Sequence, residues 1–80
     1  MSYCRPNDGD VYMFPASSHI ECRWCSLCDG ENVCFLSRLA TIEHLRAHQH
    51  AGHVVPSHAI VRLIEEIERF GDEYRASDFD

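Results

Sequence analysis

Four cysteines and four histidines crowd into one stretch, from Cys22 to His53: C-R-W-C-S-L-C-D-G-E-N-V-C-F-L-S-R-L-A-T-I-E-H-L-R-A-H-Q-H-A-G-H. The thiols come first. Cys25-Ser-Leu-Cys28 is C-x2-C, and Cys22-Arg-Trp-Cys25 is the same motif one step earlier. The imidazoles follow, with His44 and His48 four apart, a spacing that stacks them on one face of a helix. Two thiolates on a turn and two imidazoles on a helix reach one point from opposite sides. That is the tetrahedral donor set a zinc ion prefers.

The spacing predicts Cys25, Cys28, His44 and His48 as the metal ligands, with Zn2+ as the cofactor. The fifteen residues between Cys28 and His44 exceed the commonest finger spacing. Three alternatives stay open: Cys22 with Cys25 as the thiol pair, Cys34 as a third thiolate, and His48 with His53 as the imidazole pair. Cys4 reads as a free thiol in a loop, and His19 and His58 as ordinary histidines outside any site. Two thiolates closing a tetrahedron leave no position for water, H-E-x-x-H is absent, and no phosphate loop appears. The sequence therefore predicts a binding protein and not an enzyme.

The elements that must position these groups follow from pattern and punctuation. His19 to Trp24 and Val33 to Leu36 alternate as two arms of a hairpin, turned at Asp29-Gly30, with Trp24 and Phe35 closing it against a helix. Val11 to Phe14 is a short apolar run, an edge strand that Pro15 stops. Ser37 is a natural N-cap for a helix over Arg38 to Ala51, with Leu39, Ile42 and Leu45 as its apolar side and Gly52 at its end. After Pro56, Ser57 caps a second helix. Its stripe of Ile60, Leu63, Ile64, Ile67, Phe70 and Tyr74 runs to Gly71 and past it. The predicted fold is α+β: a small zinc-finger-like domain, a short β-hairpin followed by two α-helices. The predicted organisation is an N-terminal loop or edge segment (1–18), the finger-like domain with its added helix (19–71), and an acidic tail (72–80).

Eighty residues bury little core, and chains of this size commonly add a metal, disulfides or a partner. Five cysteines cannot all pair. With no leader motif and no apolar run long enough for a membrane span, the expectation is a reduced, cytoplasmic protein. The formal charge of −6 works against nucleic acid, because phosphate neutralisation supplies most non-specific affinity.

W-C-S-L-C, then F-L-S-R, then H-L-R-A-H-x-x-A-G-H-x-V-P and A-I-x-R-L together resemble the small single zinc-finger proteins of high-GC bacteria and their phages. The resemblance spans Cys22 to Glu66. It implies zinc on Cys25, Cys28, His44 and His48 and a helix after Pro56, but no activity; His53 falls to a supporting or capping place. A second pattern is similar to the WhiB-like iron–sulfur regulators: Cys25-x2-Cys28-x5-Cys34 with Cys4 upstream, which would imply a [4Fe–4S] cluster. That reading lacks the family's Gly-Trp turn and basic tail.

Three functional expectations follow. The first is a protein partner, or a second copy of the chain, seated on the apolar stripe after Pro56. The second is a DNA-binding regulator reading bases through Arg38, Thr41 and Arg46 on the finger helix. The third is an acidic mimic of nucleic acid displaying Glu65, Glu66, Glu68, Asp72 and Glu73.

Overall fold

Period-two burial builds the sheet. The computed structural model describes residues 2–7 and 9–75, and its first elements are β1 (Tyr12–Pro15), β2 (Ile20–Cys25) and β3 (Glu31–Phe35). They form an antiparallel meander in that order, with Met13 opposite Cys22 and Ile20 opposite Phe35. Met13, Ile20 and Cys22 are fully buried on the inner face. Tyr12, Phe14, Glu21, Arg23 and Cys34 alternate with them and lie on the other face. The fold is thus α+β as expected, with the predicted edge strand completing a three-stranded sheet, although Pro15 does not stop it but pairs with Ile20.

Two helices cover the inner face: α1 (Arg38–His50) and α2 (Ser57–Phe70). Ser37 caps α1 as predicted, its side-chain oxygen accepting from the Ala40 amide at 3.1 Å. A second cap comes from far along the chain. The Asp72 carboxylate accepts from the Leu39 amide at 2.7 Å and from the Ser37 hydroxyl. A carboxylate at a helix N-terminus is favoured by the dipole as well as by the orphan amides it satisfies.

The buried side of α1 differs from the predicted one. It is Arg38, Thr41, Ile42, Leu45 and His48, whereas Leu39 is 53% exposed. Arg38 has no accessible surface. Its Nε donates to Glu66 Oε1 at 3.3 Å, and its Nη1 donates to the carbonyls of Gly71 and Glu73 at 3.0 and 2.8 Å. Tyr3 donates to the same Glu66 oxygen at 2.6 Å, and Arg62 donates to the other at 3.2 Å. Burial, and then the Glu66 carboxylate, hold the Tyr3 phenol above its usual range. Because the guanidinium fork meets these acceptors, the helix can rotate Arg38 inward and leave Leu39 outside.

Described residues near both ends of the chain, Tyr3, Cys4 and Tyr74, are part of the core. Tyr3 and Cys4 are buried and held to Met13, so Cys4 is not the loop thiol expected of it. Gly9 packs against the Val54 carbonyl, and Asp10 and Val54 exchange two hydrogen bonds, which straps this segment to the link between the helices. Within the predicted tail, Tyr74 is buried and hydrogen-bonded to the Ala16 carbonyl; residues 76–80 of that tail lie outside the described residues. Among the described residues no helix is long and apolar enough to cross a membrane.

Candidate metal centre

A plain strand would separate the first two thiols of the stretch. Residues three apart point to opposite faces, so Cys22 and Cys25 cannot share one in regular β2. The strand solves this with a bulge. Cys22 pairs with Val33 and Cys25 with Glu31, so β2 spends three steps where β3 spends two. Trp24 takes the left-handed conformation (φ 54°), and its amide donates to Asn32 Oδ1 at 3.0 Å. The bulge turns Cys25 inward beside Cys22, and both are buried. It also turns Trp24 outward, 65% exposed, so Trp24 does not close the hairpin as predicted.

Opposite the thiols, α1 presents His44 and His48 with rings 4.7 Å apart and almost perpendicular. One ligand atom from each of Cys22, Cys25, His44 and His48 lies within 4.8 Å of the other three, so the group could hold a metal ion. His44 Nε2 and His48 Nε2 are 3.1 Å apart. Cys25 Sγ lies 3.4 and 3.5 Å from them, and Cys22 Sγ 3.7 Å from His48 Nε2. Ordinary zinc–sulfur and zinc–nitrogen bonds require donor separations of about 3.3–3.8 Å along the edges of a tetrahedron. The four groups fit such an ion.

The expected ligand Cys28 is not in this group. It ends the one turn of 3-10 helix that follows β2 (Ser26–Cys28), half-buried, and the neighbouring Cys25 thiol raises the pKa of its own. The thiols that converge with the two histidines are those of the earlier C-x2-C, Cys22 with Cys25. Cys34 faces away on the outer side of the sheet, exposed and opposite Glu21, so it does not converge with Cys25 and Cys28 as an iron–sulfur cluster would need. Asp29 and Gly30, both at positive φ, make the predicted turn into β3.

Electrostatics favour a cation. Burial, then the neighbouring Cys25 thiol, push Cys22 far above the ordinary thiol range. Two adjacent thiolates there need a positive charge to exist at all. The imidazoles are ready: burial lowers His44, and burial with the His44 and His53 rings pulls His48 down to about 4, so both are in the neutral, metal-binding form at pH 7.

His53 has the supporting place expected of it. Its Nδ1 lies 2.8 Å from His48 Nδ1 and 3.4 Å from Ser26 Oγ, and its amide donates to the His48 carbonyl. A hydrogen bond between the two Nδ1 atoms fixes the His48 ring and leaves Nε2 for the metal. Gly52, at φ 89°, makes the reversal that returns His53 over the helix end. His50 and His58 are exposed and outside the group.

The rival functional residues are taken up elsewhere. Arg38 and Thr41, the predicted base readers, are interior, which leaves Arg46 alone of the three at the surface. Glu66 is buried on Arg38 and Asp72 caps α1, which removes two of the five acids of the expected mimic. Compared with protein-family models, curated proteins and solved structures, the chain matches none of them.

Proposed function

We propose that this chain is a small zinc-binding module in which the metal is structural and whose work is to bind another protein. The observation that carries the first half is the closed quartet of Cys22, Cys25, His44 and His48. Four protein donors leave no position for substrate or water, so the metal would supply cohesion and no catalysis. It would tie β2 to α1, the two elements that flank the core. Circular dichroism before and after chelation tests this: helical signal should fall with the metal and return with added zinc. Full retention of helix after metal removal would refute it.

What supports the second half is apolar surface left over after folding. Most of the stripe after Pro56 is core: Leu63 and Tyr74 are buried, and Ile60 and Ile67 pack against it. Val61, Ile64 and Phe70 of α2 stay exposed, as do Leu36 and Leu39 before and at the start of α1. A partner protein is the preferred occupant, and a second copy is the other outcome. Sedimentation across a concentration range separates them: a dimer dissolved by V61E would make the occupant another copy, whereas a monomer throughout leaves a different protein. The role we propose is regulatory, in a bacterial or phage-infected cytoplasm where such thiols stay reduced.

A further inference from the structure

The outer face of the sheet carries a second set of metal-ligand atoms, which the quartet does not use. Glu21 and Cys34 are direct cross-strand partners on β2 and β3. His19, two residues before Glu21, turns its ring onto the same side, with Nε2 3.2 Å from Glu21 Oε1. One ligand atom from each of the three lies within 4.8 Å of the other two. Strand alternation places this trio back to back with Cys22, on the opposite side of the sheet from the quartet.

We propose that His19, Glu21 and Cys34 form an open binding site for a zinc-class divalent transition-metal ion. Nitrogen, oxygen and sulfur donors in equal number suit borderline ions such as zinc or cobalt(II), not the hard magnesium or calcium. Three protein donors leave a fourth position for water or an outside ligand, unlike the closed quartet. Two of the donors are already held. Ser18 Oγ sits 3.1 Å from His19 Nδ1, which leaves Nε2 to face the site. Arg23 Nε donates to Glu21 Oε2 at 3.0 Å, which orients the carboxylate with Oε1 toward His19. Cys34 is exposed and gives the ion its way in. Its thiol proton leaves to solvent as the metal–sulfur bond forms. The Arg23 charge and the single thiolate make this the weaker of the two sites.

The test uses the full chain loaded with one equivalent of zinc, to which cobalt(II) is added while the sulfur-to-cobalt charge-transfer absorption is followed. Released zinc is measured in parallel, to detect displacement from the quartet. The expected result is one further, saturable equivalent of cobalt without zinc release. C34S should abolish the absorption, and H19A should weaken binding at least about tenfold, both with an unchanged circular dichroism spectrum. No saturable uptake by the native chain would overturn the proposal. So would absorption that persists in C34S or that rises only as zinc is released.

Discussion

Two polar clusters are built into opposite ends of α1, and they are solved in opposite ways. At its start, Arg38 meets Glu66 and two backbone carbonyls, and Tyr3 donates to the same Glu66, so donors and acceptors are matched within the protein. Toward its end, Cys22, Cys25, His44 and His48 bring together lone pairs, with nothing but thiol and ring protons to share among them. The first cluster is complete as folded. The second could hold a cation, which would supply the charge that two adjacent buried thiolates need and take the ring lone pairs aimed at one point. The difference teaches that burying polar groups does not itself mark a site; an unmatched set of donors for a soft ion does.

The largest break in that comparison is removal of the metal. Structural zinc contributes roughly 10–16 kcal/mol of apparent free energy in small finger peptides, more than a chain of this length has in its core. Chelation should therefore unfold the metal end, and hydrogen exchange would show α1 losing protection first around His44 and His48. Next come the thiols. C22S should abolish high-affinity zinc binding, whereas C28S should retain it; competition with a chromophoric chelator reads both.

At the other end, R38M leaves Glu66 buried beside Tyr3 with its main charge partner gone, at a cost of about 3–5 kcal/mol by urea melts. Zinc affinity should change far less, since the two clusters share no ligand. The smaller effects sharpen the contrast. H53A should weaken zinc binding by about 10–100-fold, because His48 loses the ring that orients it. Between pH 7 and 5, acid should act on the metal end. His48 in the fold titrates at about 4, below the ordinary histidine value of about 6.5. The unfolded chain therefore takes up more protons in that window. Stability is present above about 6.5 and declines as pH falls toward about 4, seen as a lower urea midpoint at pH 5 than at pH 7.

Much of this is legible in the sequence. The start of α1 is legible from Ser37, the helix ends from Gly52 and Gly71, and the turn from Asp29-Gly30, because capping and positive φ are local chemistry. Ser57, the expected cap of α2, is instead its first residue, with Pro56 at the cap position and no side-chain cap. His44, His48 and Cys25 were legible from spacing. Cys22 in place of Cys28 was not, because it depends on a bulge that puts a tryptophan in a left-handed conformation, against that residue's own preference. The inward turn of Arg38 was hidden for a related reason. An arginine at the head of a helix reads as surface until Glu66, 28 positions later, is known to meet it. His19 looked ordinary because its partner Cys34 lies across a strand register that the sequence does not display.

The most direct test of the central claim is X-ray absorption at the zinc edge, on the native chain and on C28S, each loaded with one equivalent. The account predicts the same spectrum for both: two sulfurs at about 2.3 Å and two nitrogens at about 2.0–2.1 Å, with no oxygen. Loss of a sulfur in C28S, or a water oxygen bound to the native zinc, would contradict it.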